Sequence, residues 1–417
     1  MSLVIAGEAI FLLPFVIPRI FRPTFLDIFE ISNLQLGTAF SLYGMIAMAS
    51  YFAGGPLADR FSARRLLVAA LLSTALGGLV LASIPSITLL IVLYGFWGLS
   101  SIFLFWAALI KTTRDLGNSS QGQAFGLLDG GRGLFAALLS SLSVLIFAAL
   151  LPQDVDTASF AERSEAFSSI ILVFTGFGVL SALLVWFFIP ESSVAEQPQT
   201  TSAPIANIQL LKQVASMPTV WLQALIILCA YVGYKSVDDF SLYASEAFGY
   251  NDVEAAQVST LAFWMRPLAA IAAGLLADKL GSMLVLLVSF LIIMIGCLVI
   301  ATGMIVPGVP WMLLLTIAGT SAGIYGVRGI YFAIFGEAHV PLASTGTAVG
   351  LVSFIGFTPD IFMGPLMGYL LDSSPGATGH QHFFFVVFLF GLLGFFATLM
   401  FKYAEGLLNK QKILTSA

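Results

Sequence analysis

Twelve separate runs of mainly apolar residues divide this chain, and that pattern leaves few folds open to it. They fall near residues 3–25, 34–53, 66–84, 87–110, 123–150, 167–189, 219–242, 253–277, 283–302, 310–335, 346–370 and 383–402. About 20 such residues in a helix are enough to cross the hydrocarbon core of a bilayer. Lipid offers no partner to an open strand edge, so the runs read as helices. Hydrophobic residues make up 59% of the chain and charged ones 9%, against roughly 45–50% and 25% in soluble domains. The excess apolar surface must face lipid. The reading is an all-α membrane protein with twelve transmembrane helices, numbered 1 to 12 below.

The first run begins at Leu3 without a basic leader and is too long for a signal core, so it reads as helix 1 rather than a cleaved segment. The longest polar stretch, Glu191 to Pro218, is rich in Ser, Thr, Gln and Pro, a linker composition. It separates a six-helix half at 1–190 from a second at 219–417, with 191–218 as a cytoplasmic linker. Within it, apolar Ile205, Ile208, Leu210 and Leu211 suggest a short helix on the membrane surface. Lys and Arg in the short loops set the orientation. Arg60, Arg64, Arg65, Lys111, Arg114, Lys212, Lys279, Lys402, Lys410 and Lys412 fall on one side, and only Arg22 and Arg163 on the other. Both termini are therefore expected in the cytoplasm, with the chain in a bacterial-type inner membrane. The bilayer is its first partner. Cys229 and Cys297, both inside apolar runs, read as buried small side chains.

The loop after helix 2 reads Gly55-Pro56-Leu57-Ala58-Asp59-Arg60-Phe61-Ser62-Ala63-Arg64-Arg65. The loop after helix 8 reads Gly274-Leu275-Leu276-Ala277-Asp278-Lys279-Leu280-Gly281-Ser282. Glycine, leucine, alanine, aspartate and a base recur in register, which marks an internal duplication. These loops, with Ile189-Pro190-Glu191 at the end of helix 6, resemble the signature of the major facilitator superfamily over essentially the whole chain. Ser62 departs from it, since the family usually has glycine there, and the second copy lacks the trailing bases. The resemblance implies two pseudo-symmetric six-helix bundles that rock about a central cavity. Gly55 and Gly274 would then allow close helix approach, and Asp59 and Asp278 would cap neighbouring helix N-termini. Arg60, Arg64 and Lys279 would pair with acids or helix C-termini. Together these residues form a gating motif on the cytoplasmic side.

An ionisable side chain at the bilayer centre costs at least about 2.5–3.5 kcal/mol. Five bases (Arg19, Arg132, Lys235, Arg266 and Arg328) and four acids (Asp129, Asp238, Asp239 and Asp360) nonetheless fall well inside the runs, leaving aside Glu8, which lies too near the cytoplasmic face to count, and Arg22, Glu254 and Lys402 at the run ends. Helices 3, 6, 9 and 12 have none, and the family resemblance makes those the outer supports. Three of the charges adjoin prolines, at Pro18-Arg19, Arg266-Pro267 and Pro359-Asp360, where kinks are expected. Two readings stay open. Arg19, Arg266 and Arg328, with Lys235, Tyr234 and Tyr325, could bind a solute, because guanidinium grips carboxylate or phosphate bidentately. Alternatively the charges neutralise one another, as Asp129 and Arg132 could at i, i+3. Arg19 and Arg266 stand out for the solute, since neither has an acid nearby on its own helix. Asp129, Asp239 and Asp360, as protonatable acids, could couple transport to protons; sodium coupling also stays open.

His380 and His382 in the last outer loop read as surface histidines rather than a metal site, and His339 ends helix 10. Tyr94, Trp97, Phe103 and Trp106 of helix 4 read mostly as packing. There is no phosphate loop, zinc-protease motif or serine elbow, so neither an enzyme nor ATP-driven pumping is expected, and no cofactor. A net charge of −5, thinly spread, leaves no nucleic-acid footprint. The expected function is secondary transport of a small organic anion by alternating access, the chain acting as a monomer. Efflux of amphipathic or cationic compounds is one alternative. It is weakened because Gly126-Leu127-Leu128-Asp129-Gly130-Gly131-Arg132-Gly133 lacks the Gly-Pro pair of drug antiporters. A transporter-like solute sensor is the other.

Overall fold

A computed structural model of the chain describes the backbone of residues 1–117, 121–191, 208–335 and 345–416. Within those stretches the side chains of Phe52, Asp59, 117, 121–125, 208–211, 335, 345–347 and 407–416 lie outside the described set. His339, the 192–207 part of the linker, and the side chains of Asp59, Lys410 and Lys412 thus fall outside the described residues. Among those described there is no strand, and the twelve expected helices are all present.

Several helices are broken where local sequence requires it. Helix 1 runs from Ser2 to Phe11, widens into a π turn over Leu12–Val16, and resumes over Ile17–Ile20. Pro14 lies in the wide turn, which absorbs a missing donor and a crowded ring. The chain leaves the helix at Phe21 (φ −107°, ψ 39°), and Pro23 helps to open a separate short helix, Arg22–Ile28. The single run expected over 3–25 is therefore two elements. Helix 2 (Asn33–Arg60) starts on a capping box of Ser32 and Gln35, and helix 6 (Phe160–Phe188) on one of Ser159 and Glu162. Helix 3 spans Ala63–Ala82 and helix 5 Gln121–Leu150. Helix 4 contains a second π segment, Leu99–Trp106, between Ile87–Gly98 and Ala107–Gly117.

Helix 7 comprises Pro218–Ser236, a 3-10 turn at Val237–Asp239, and Phe240–Phe248, which Gly249 ends in the left-handed region (φ 69°). Helix 8 (Asp252–Leu280) stays helical across Pro267. Helix 11 is split into Thr345–Gly356 and Pro359–Ser373, because Pro359 has no N–H to continue the ladder. Helix 9 is Ser282–Ala301, helix 10 Pro310–Ile330 and helix 12 Ala377–Ser416. The described part of the linker helix is Ile208–Ala215. His380 and His382 lie in helix 12, and His380 is fully buried, a correction to its reading as a surface residue.

By compactness the chain forms two units. One contains Met1–Thr200, Asp238–Trp264 and Asp360–Gly379; the other contains Thr201–Val237, Met265–Pro359 and His380–Ala417. The division cuts helices 7 and 11 at their own breaks. It differs from the boundaries at 190 and 219 because parts of helices 7, 8 and 11 pack with the first half. Leu76 and Leu79 on helix 3, Leu183 and Phe187 on helix 6, Leu291 and Ile295 on helix 9, and Phe396 and Met400 on helix 12 are exposed. These helices carry large apolar side chains to the surface, as lipid-facing supports must.

Candidate functional site

The second unit brings together helix 7 and helix 10 around one cation. The Arg328 guanidinium lies 3.8 Å from the centre of the Tyr234 ring and 5.7 Å from that of Tyr231. Tyr234 in turn meets Tyr325 (6.3 Å, edge-on) and Tyr231 (5.4 Å), and Tyr231 meets Phe357 (5.1 Å). Arg328 is half-buried, whereas Tyr325 and Lys235 are buried. Cation–π contacts contribute about 0.5–2 kcal/mol, less than the insertion cost of an arginine. Gln223 donates to the carbonyl of Tyr331 at 3.4 Å, again joining helices 7 and 10. Arg266, 8% exposed, belongs to this unit too.

The first unit contains the other intramembrane charges. Arg19 Nε donates to Asp238 Oδ1 at 2.5 Å, with side chains 3% and 4% exposed. The guanidinium also lies 5.7 Å from the Phe263 ring centre. Ser241 and Ser259 both donate to the Arg19 carbonyl, each at 3.0 Å. No acid lies near Arg19 on its own helix, which favours a solute partner in the sequence; the acid comes from helix 7 instead. The two residues are 219 positions apart, the same offset that relates Asp59 to Asp278. Corresponding positions of the duplicated halves therefore meet each other. Asp239, the next residue, is fully buried.

Arg132 on helix 5 pairs with Glu8 of helix 1 at 3.3 Å and, more loosely, with Asp129 at 4.0 Å. Phe11 and Trp106 flank its guanidinium at 5.5 and 5.8 Å. The i, i+3 pairing expected for Asp129 is thus secondary to one from another helix. Glu8 is itself buried, 3% exposed. Gly7 makes room for the contact, since a Cβ there would lie 3.0 Å from Arg132 Cδ. Asp129 is exposed and Asp360 half-buried. Tyr94 and Trp97 are fully buried and pack against one another.

The loop motif is partly assembled. Arg64 and Arg65 bind the two carboxylate oxygens of Glu191 at 2.5 and 2.7 Å, and Arg64 lies over Trp186 at 4.8 Å. Two phrases noted separately in the sequence, the loop bases and the Ile-Pro-Glu exit, thus meet. Lys111 donates to the Ala58 carbonyl at 2.9 Å. Arg60, Asp278 and Lys279 are exposed. Among the described residues, a Cβ at Gly55 or Gly274 would meet nothing within 4 Å, so the close approach expected of them is not seen there. The close approaches lie elsewhere, at Gly37, Gly44, Gly364 and Gly368. The four-residue spacing of Gly364 and Gly368 is the sequence signal for this approach.

Residues 4–358 match the profile of the Major Facilitator Superfamily. The chain belongs to that superfamily. Inner membrane protein YqcE of Escherichia coli (strain K12) is 25% identical over 382 residues, covering 89% of this chain and 87% of that protein. Inner membrane protein YihN of the same organism is 23% identical over 403 residues, covering 95% and 93%. Among solved structures, the nucleoside transporter NupG superposes with a TM-score of 0.72 at 13% identity, covering 96% of this chain and 99% of NupG. The Escherichia coli fucose:proton symporter FucP does so with a TM-score of 0.58 at 19% identity, covering 94% and 98%. The chain therefore has the superfamily's twelve-helix fold and is a multi-pass membrane transporter rather than an enzyme.

Proposed function

We propose that this superfamily member is a secondary transporter that carries a small organic anion by alternating access. Both termini lie in the cytoplasm, the two halves at 1–190 and 219–417 rock about the cavity, and the monomer is the working unit. The observation that carries the substrate class is Arg328, half-buried and stacked at 3.8 Å on Tyr234. Its planar donors suit carboxylate or phosphate, and tyrosines at 234 and 325 supply hydroxyls and ring faces for the rest of the solute. Lys235 and Arg266 add positive charge to the same unit. Arg19, held by Asp238, is assigned here to the ion pair rather than to the solute. Proton coupling through Asp239 or Asp360 completes the reading; FucP, a fucose:proton symporter, has the same fold. Residues Gly55 to Arg64 and Gly274 to Lys279 form the cytoplasmic gate in this mechanism.

The test is uptake into proteoliposomes of a labelled panel: gluconate, glucuronate, glucose 6-phosphate, succinate, glucose, uridine and tetraphenylphosphonium. Anion uptake that an inward proton gradient accelerates, and that Arg328→Ala reduces at least about tenfold, supports the proposal. Transport of the uncharged solutes or of the cation, with the anions excluded, overturns it. An anion uptake indifferent to a proton gradient but dependent on sodium overturns the coupling alone.

A further inference from the structure

The strongest unassigned feature is the contact between the Asn33 end of helix 2 and the Ser373 end of helix 11, both in the first unit. The Asp372 carboxylate accepts from the backbone N–H of Asn33 at 3.1 Å and of Leu34 at 2.8 Å. Those are the first two orphan donors of helix 2. The third, on Gln35, goes to Ser32 Oγ at 3.2 Å. Arg22, fully buried, donates twice to Asn33 Oδ1, at 3.2 and 2.9 Å. Helix 8 makes a useful contrast. Two of its first-turn donors, on Val253 and Glu254, are taken by Asn251 of its own sequence at 3.1 and 3.0 Å. Those two donors keep their partner wherever helix 8 moves, while helix 2 has two donors satisfied only where helix 11 lies against it.

Below the cap the two backbones touch. A Cβ on Gly37 would lie 2.2 Å from the Gly364 carbonyl oxygen, one on Gly368 would lie 2.4 Å from Leu34 Cα, and one on Gly44 would lie 2.6 Å from the Asp360 carbonyl oxygen. Gly364, Gly368 and Asp372 follow one another at four-residue intervals and so share a helix face. The interval from Gly368 to Asp372 repeats that from Gly55 to Asp59 and from Gly274 to Asp278.

We propose that Asp372 is the latch of a gate between helices 2 and 11, at the end of helix 2 opposite the Gly55 loop, and that the glycine seam beneath it is the seal. In the closed gate the carboxylate meets the positive end of helix 2. In the open gate the seam parts, and the Asn33 and Leu34 donors pass to water. The latch is exposed, so salt screens it, and it biases the equilibrium rather than locking it. This assignment rests on alternating access and on the orientation drawn from the loop bases, but not on the identity of the solute.

The test needs no solute. Phe40, 3% exposed, has its Cβ 3.2 Å from where a Gly364 Cβ would stand. Phe40→Cys, with Cys229 and Cys297 replaced by alanine, therefore reports on the seam. It is labelled in right-side-out spheroplasts and in inside-out vesicles with a membrane-impermeant maleimide. Asp372→Ala should raise the labelling rate from outside about three- to tenfold, corresponding to roughly 0.7–1.4 kcal/mol. Asp372→Glu should restore the slow rate, and high salt should shrink the difference. Gly364→Leu, which wedges the seam, should raise labelling more than Asp372→Ala does. If Gly364→Leu raises labelling and Asp372→Ala leaves it unchanged, the latch is refuted. If monodisperse Gly364→Leu protein also labels at the reference rate, the gate itself is refuted. Enhanced labelling only in inside-out vesicles reverses the sidedness, an outcome separate from any failure of anion uptake.

Discussion

Removing one member of the Arg19–Asp238 pair should destabilise the protein more than any surface ion pair could. The contact is 2.5 Å long and both side chains are almost wholly excluded from solvent. Truncating one partner of a buried pair leaves an uncompensated charge and costs about 3–5 kcal/mol, whereas replacing both with apolar groups is often neutral. The Phe263 ring adds a cation–π contribution of about 0.5–2 kcal/mol that only Arg19 can use. Asp238→Asn should therefore lose about 3 kcal/mol, since the amide still accepts one hydrogen bond. Arg19→Met or Asp238→Leu alone should lose about 3–5 kcal/mol, and the two together less than either single change. The hydroxyls of Ser241 and Ser259 bond the Arg19 carbonyl, a backbone atom that every variant retains. The double-mutant cycle thus isolates the charge pair. Unfolding free energies in mixed micelles titrated with SDS would measure it. Single variants within about 1 kcal/mol of wild type would refute the reasoning, because the pair would then behave like a solvated one.

Three further outcomes follow from the packing. Gly296→Val should destabilise by about 1–3 kcal/mol, since a Cβ would lie 1.9 Å from Thr320 Oγ1; Thr320→Ala, which deletes that atom, should recover part of the loss in a thermal melt. Gly78→Val should behave likewise against Thr175 Oγ1 at 2.1 Å on helix 6, but Thr175→Ala should rescue it only partly because Leu13 Cδ1 stands at 2.7 Å. Glu191→Gln should shift the same melt by less than about 1 kcal/mol, because Arg65 is 68% and Glu191 37% exposed.

Much of the fold was legible because lipid imposes a simple rule. Each run near the length of the hydrocarbon core became helical, and helices 3, 6, 9 and 12, whose membrane-spanning parts hold no charge, do carry exposed apolar side chains. The breaks were less legible. Pro359 splits helix 11, yet Pro267 sits inside an unbroken helix 8, and the 3-10 turn at Val237–Asp239 contains no proline. Neighbouring elements decide whether a missing hydrogen bond opens the helix. Among the site residues, Arg328 with Tyr234 and Tyr325 came together from helices 7 and 10. Arg19 and Arg132 found acids, Asp238 and Glu8, that no local spacing could have assigned to them.

The amino-acid sequence alone determined the class of molecule: helical, membrane-spanning, duplicated, and burdened with ionic groups that a bilayer would otherwise exclude. Those properties depend on composition and on distances along one helix, which are written locally. Tertiary structure alone decided which charges pair, which glycines are pressed together, and that Asp372 caps a helix 339 residues before it. Each of those depends on two elements meeting in space, and a hydrogen bond or a 2.2 Å collision has no trace in the sequence of either partner taken singly.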